Sequence, residues 1–140
     1  MEEIIFHGTP MRILLTTKQA GGTYCVMEMA HRPNVGPAPH QHPAVNETFY
    51  VLDGTYHFTV EGTTTEVAKG GLITVERGRS HYYKSGPNGG RVLIMMPPNL
   101  ESYFRSIAEL EKASIVPFEQ EATIAESYGQ VFLGTSNTHW

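Results

Sequence analysis

The sequence predicts a mainly β protein: an antiparallel sandwich or barrel of short strands, followed by one or two short helices. Three observations carry this. Apolar residues alternate with period two along several short segments. Turn residues separate those segments at regular intervals, and the 140 residues hold 14 Gly and 9 Pro. After Pro97-Pro98 the apolar period becomes helical.

The elements follow in order. Residues 11–16, MRILLT, read as a strand, and Gly21-Gly22 as a turn. In TYCVMEMA, Cys25, Met27 and Met29 share one face, with Val26, Glu28 and Ala30 on the other. Residues 33–39, PNVGPAP, exclude regular structure, because three prolines and a glycine break any ladder. In ETFYVLD, Glu47, Phe49 and Val51 face one way. Asp53-Gly54 predicts a hairpin turn, as Glu61-Gly62 does after TYHFTV. TTTEV, GLITV, SHYYK and RVLIMM complete the strands. Asn99 is placed to cap a helix from Leu100 to about Ala113, striped by Leu100, Tyr103, Phe104, Ile107 and Leu110. A second short helix is expected between Pro117 and Gly129, and VFLG as a last extended piece.

The composition fits a globular chain of one domain, residues 1–140, with the barrel at about 11–97 and the helices at about 99–129. A net charge of -4 gives no reason to expect nucleic acid. Arg77, Arg79, Lys84 and Arg91 fall in one stretch, and a scattered solvated surface explains them better than a basic rim. Cys25 is the only cysteine, which excludes an internal disulfide framework, and its apolar context reads as a buried thiol. No signal peptide is visible, and no apolar run approaches the ~20 residues that span a bilayer. A cytoplasmic location is the expectation. Ile4-Ile5-Phe6 suits an added strand, either in a partner's sheet or in its own.

Chemistry concentrates in His40-Gln41-His42-Pro43-Ala44-Val45-Asn46-Glu47. In extended chain, His40 and His42 project from one face. An HxH alone more often marks a loop or surface. Glu47, however, shares its face with Phe49 and Val51, and a carboxylate there is costly unless its charge is compensated. A metal ion would do so, and imidazole with carboxylate suits first-row divalent ions.

These residues resemble the cupin superfamily, whose first motif runs from a glycine through HxH to a glutamate and a closing glycine. Here it reads Gly36, His40, His42, Glu47 and Gly54, with Gly36 closer to His40 than in the superfamily pattern. The second motif corresponds to Gly70, Gly78 and His81, with Gly71, Glu76 and Ser85 where aspartate, proline and asparagine are usual. Gly36-Pro-Ala-Pro, Glu47-Thr-Phe-Tyr-Val-Leu-Asp-Gly54 and the step from Pro97 to Phe104 look closest to small cupins similar to flavonol (quercetin) dioxygenases.

The resemblance covers about residues 20–97. It implies a double-stranded β-helix, or jelly-roll barrel, a homodimer, and one divalent metal (Fe, Mn, Ni, Cu or Zn) held by His40, His42, Glu47 and His81. It also implies an oxygenase acting on a small phenolic, enolic or diketone-like substrate, with Glu47 as ligand and general base. A metal-dependent isomerase, cyclase, lyase or decarboxylase without oxygen is the alternative, and a non-enzymatic binding module a third. Phe49, Tyr56, Phe58 and Tyr83 share strand parity with inward positions and are candidates for the substrate pocket, or for barrel filling. His57 is out of phase and reads as outward. His7, His31 and His139 match no motif and read as surface residues.

Overall fold

A computed structural model describes residues 2–134 and 140. The described strands form one nine-stranded antiparallel sheet that curls into a barrel, the expected jelly-roll class. The strands are β1 (Glu2–Phe6), β2 (Thr9–Leu15), β3 (Cys25–His31), β4 (His40–Gln41), β5 (Glu47–Val60), β6 (Thr63–Ala68), β7 (Leu72–Val75), β8 (His81–Met96) and β9 (Val131–Phe132). Helices α1 (Leu100–Glu111) and α2 (Phe118–Ser127) stand between β8 and β9.

The barrel is organised by β5 and β8, which pair along almost their full lengths, from Thr48↔Met95 to Val60↔His81. The far half of β8 also pairs with β3, from Cys25↔Met96 to His31↔Gly90. Its near end pairs with β4 at His40↔His81. The period-two faces fall as the sequence predicts: Cys25, Met27, Met29, Phe49, Val51, Val92 and Ile94 are all buried. Each such large side chain contributes about 1.5–3 kcal/mol on burial. The Ile4-Ile5-Phe6 segment pairs with β2 in its own sheet, and Phe6 is buried against Tyr103 and Phe104 of α1.

Two turn expectations separate. Glu61 and Gly62 adopt positive φ (47° and 82°) and close the β5–β6 hairpin. Asp53-Gly54 makes no hairpin; β5 runs through it with shifted register on both sides. The reason lies on the partner strand. Gly54 has φ 76°, and a Cβ added there would meet Gly89 O at 2.5 Å and Gly90 Cα at 2.9 Å. The glycines of β5 and β8 face one another, so both strands bend together and neither ends. For the same reason SHYYK and RVLIMM are one strand.

Helix α1 starts where expected, and Leu100, Tyr103, Phe104 and Ile107 are buried on its inner face, while Leu110 is exposed. Asn99 adopts φ 76° and its side chain makes no cap bond; its carbonyl accepts from Ser102 and Tyr103 instead. Gly129 (φ 86°) follows α2 as predicted, and VFLG supplies β9, which pairs with β4. Among the described residues no helix is long and apolar enough to cross a membrane.

The irregular 33–39 segment carries the chain to β4. It is fixed by Ser85 of β8, whose hydroxyl donates to Arg32 O (2.6 Å) and accepts from Val35 N (3.0 Å). Gly36 packs directly on β8: an added Cβ would lie 1.8 Å from Tyr83 O. Gly36→Ala is therefore expected to destabilise the fold by about 1–3 kcal/mol, as overpacking does. It should also shift the approach to His40. Thermal or denaturant unfolding checks the first effect; wild-type stability would refute the close-approach argument.

Candidate metal centre

Four side chains from three strands and a loop meet inside one end of the barrel. His40 lies on β4, opposite His81 at the start of β8. Glu47 opens β5, and His42 stands in the segment between β4 and β5. All four are buried, and one ligand atom from each falls within 4.8 Å of the others.

Backbone carbonyls orient two of the rings. His40 Nδ1 donates to Ala38 O (2.8 Å) and His81 Nδ1 to Arg79 O (3.0 Å), which leaves each Nε2 for the centre. His81 Nε2 lies 3.1 Å from Glu47 Oε1. His42 Nε2 lies 3.3 Å from the same oxygen, out of line for a hydrogen bond. Neither ring nitrogen of His42 has a hydrogen-bond partner among the described residues. A buried polar atom left unpaired is costly, and an ion is one partner that would satisfy Nε2. The three-nitrogen, one-carboxylate set fits a divalent first-row metal, so the residues present suit the group expected.

Electrostatics agree for Glu47 and His40. Burial pushes the Glu47 carboxyl up, but His42 and then His81 outweigh it and hold the group well below the usual carboxylate range. His40 is driven well below the ordinary imidazole value, by burial first and then by His81 and His42. His81 is raised, because the Glu47 carboxylate outweighs the burial that lowers it. Glu47 is thus ionised and His40 neutral near pH 7, the forms in which both bind metals.

The second motif holds its turn without the usual proline. Gly78 N donates to His42 O (2.9 Å), Arg77 N to Asn46 Oδ1 (2.8 Å) and Ser80 N to Glu61 Oε1 (2.8 Å). The first two bonds tie the turn before His81 to the segment carrying His42, and the third ties it to the β5–β6 turn. Arg77, Arg79, Lys84 and Arg91 do not converge on the site; Arg79 pairs with Glu76 and Arg91 with Glu28.

A void of about 30 Å³ lies beside His40 and Glu47. That is room for no more than about two waters. Phe49 and Tyr83 line it, with Met29, Ile94, Phe104 and Trp140 among the rest of its wall. Tyr56 and Phe58 do not reach it; they pack behind, Phe58 between Phe49 and Tyr83. His57 is exposed, as expected.

Two surface expectations are corrected. His31 is buried (5% exposed), because it continues the inward parity of Cys25, Met27 and Met29. Its ring lies between Tyr56 OH and Tyr83 OH. His7 is mostly covered, paired with Glu111 (3.2 Å) and the buried Glu121 (2.7 Å). His139 lies outside the described residues. Parity along β3 was the signal that would have found His31. His7 has no such signal, since its partners come from the helices. Cys25 is buried, and burial pushes its thiol up to about 11.

Two predictions follow from this geometry. Protein purified without added metal should carry one bound ion by elemental analysis. Saturation at about a hundred times Kd should stabilise it by about 2.7 kcal/mol. His42→Ala or His81→Ala should remove both effects; full metal content in either variant would exclude these ligands.

The second concerns acid. Burial first, and Arg32 second, lower His31 to about 3. The stability this neutral ring contributes is complete above the unfolded value of about 6.5 and is lost as pH falls toward 3. His31→Gln, which keeps a donor and an acceptor without titrating, should flatten that part of the stability–pH curve; an unchanged slope would show that His31 does not carry it.

Solved structures share this architecture. A predicted oxalate decarboxylase from Thermotoga maritima superposes with TM-score 0.62 at 21% identity, covering 69% of this chain and 90% of that one. KdgF from Halomonas sp. gives TM-score 0.57 at 17% identity, covering 68% and 84%. The polyketide cyclase RemF from Streptomyces resistomycificus gives TM-score 0.57 at 29% identity, covering 69% and 70%. No curated protein sequence matches the chain. Residues 26–96, about half of the sequence and the part that carries all four converging side chains, match the Cupin domain family, and the chain belongs to that family.

Proposed function

We propose that this cupin is a metal-dependent enzyme acting on a small phenolic, enolic or diketone-like molecule. One observation supports it above the others: a buried three-His, one-Glu cluster opens onto a void walled mainly by apolar and aromatic side chains. His40, His42, Glu47 and His81 would hold the ion. When bound, it supplies Lewis acidity toward a substrate oxygen.

The residues of the chain do the rest. Glu47, ionised and at the edge of the void, is placed to accept the proton that an enol or phenol gives up. Phe49, Ile94 and Met29 exclude water around it. The apolar wall selects a flat, weakly polar substrate over a sugar or a polyanion.

The barrel alone is compatible with many reactions, so the reaction type rests on other features. The Glu47–Gly54 strand and the aromatic step after Pro97-Pro98 favour an oxygenase of the flavonol dioxygenase kind. The 29% identity with a polyketide cyclase favours the alternative, a cyclase-type reaction, on a substrate of related poly-carbonyl chemistry. Turnover of a panel of flavonols, catechols and 1,3-diketones, followed in air and anaerobically, separates the two. Oxygen uptake tied to turnover supports the first, turnover that persists without oxygen the second. Absence of turnover with Fe, Mn, Ni, Cu or Zn would overturn both.

The void is smaller than any such substrate, so part of its wall moves on binding. Trp140 is the one lining residue that is part-exposed; the others are buried. It is also the only tryptophan. Substrate binding is therefore expected to shift the intrinsic tryptophan fluorescence, and an unchanged spectrum at saturation would place entry elsewhere.

A further inference from the structure

We infer that Tyr83 is a dedicated hydrogen-bond donor into the cavity beside the metal centre, fixed in that role by a buried Tyr56–His31–Tyr83 chain. This rests on reading that cavity as the substrate site. Its consequence is a substrate class: molecules with two oxygens, one for the ion and another to accept from Tyr83.

The argument starts at the closed end of the chain. Tyr56 is fully buried, and its hydroxyl lies 2.7 Å from His31 Nδ1. No other hydrogen-bond partner of that hydroxyl is seen among the described residues. If His31 Nδ1 carried a proton and donated it, the Tyr56 proton would be buried without an acceptor, at a substantial cost. Tyr56 therefore donates, and Nδ1 accepts.

His31 is neutral, since burial and Arg32 hold its imidazole far below the ordinary value. A neutral ring that accepts at Nδ1 carries its proton on Nε2. Nε2 lies 3.3 Å from the Tyr83 oxygen and donates to it. The Tyr83 proton is then directed elsewhere. Its nearest acceptor is Met29 Sδ at 3.6 Å, and Met29 lines the same void as His40 and Glu47. A thioether is a weak acceptor, so an incoming oxygen readily takes its place.

Tyr83 thus touches the substrate, and His31 and Tyr56 are positioning residues that set the direction of its bond. The three side chains sit on β8, β3 and β5, the strands that form the body of the barrel, so the direction is held rigidly.

Two measurements test this on the whole chain. Long-range ¹H–¹⁵N correlation of the histidine side chains, with His31→Gln to assign the signals, should show His31 as the Nε2–H tautomer. Tyr56→Phe should release that preference. An Nδ1–H tautomer or a protonated ring in the wild type would overturn the inference.

The other measurement is binding of 2,4-pentanedione to zinc-loaded protein. Tyr83→Phe, which removes only the hydroxyl, should weaken binding by roughly tenfold while leaving zinc affinity unchanged. Equal probe affinity in wild type and variant overturns the donor role alone. A zinc-loaded wild type that does not bind the probe overturns the reading of the cavity on which that role depends.

Discussion

A carboxylate buried among three imidazoles is the costly feature of this molecule, and much of the surrounding barrel is arranged around it. Glu47 is 5% exposed on a face it shares with Phe49 and Val51. Desolvation alone would neutralise it. His42 and His81, each within 3.3 Å of the same oxygen, reverse that and keep it charged. Of these two rings, His81 is in turn held by the carbonyl of Arg79, so the orientation of that backbone group bears on whether the charge can exist there; the carbonyl of Ala38 holds the third ring, His40.

That dependence explains why the irregular parts of the chain are so heavily tied. The 33–39 loop has no ladder of its own, yet it must place Ala38 O and His40. Ser85 and the close contact of Gly36 with the Tyr83 carbonyl fix it to β8. The turn before His81 is bound to the other ligand segment through His42 O and Asn46. A serine in place of the usual asparagine, and a glutamate in place of proline, therefore leave the ligand geometry intact. Anchoring passes to hydrogen bonds that these residues and their neighbours make.

What the sequence made legible follows from local physics. Period-two alternation located most strands and put Glu47, Phe49 and Tyr83 inward. The resemblance to the two cupin motifs, and no local rule, joined His81 to His40 across their separation in sequence. Turn chemistry was reliable where nothing opposed it, as at Glu61-Gly62. It failed at Asp53-Gly54, where the partner strand offered facing glycines and continued pairing. His31 was hidden for a different reason. Its environment is made by Tyr56 and Tyr83, distant in sequence, and only its parity with Met27 and Met29 hinted at burial. His7 depends on Glu111 and Glu121 of two helices and offered no hint at all.

The site's chemistry is sharply uneven, and this bears on recognition. On one side stand four polar ligand groups; on the other the wall is mostly hydrocarbon and aromatic ring. In such a pocket apolar contact sets affinity, while the few polar groups set orientation. A hydroxyl whose proton direction is fixed discriminates more strongly than one free to rotate, because a substrate lacking the matching acceptor leaves a buried donor unpaired. His31 supplies that fixed direction without touching the ligands, from a strand outside both motifs' ligand positions. On the proposed reading of the cavity, orientation can therefore be altered at Tyr56 or His31 while the four metal-capable side chains stay as they are, which would let substrate preference change without rebuilding that cluster.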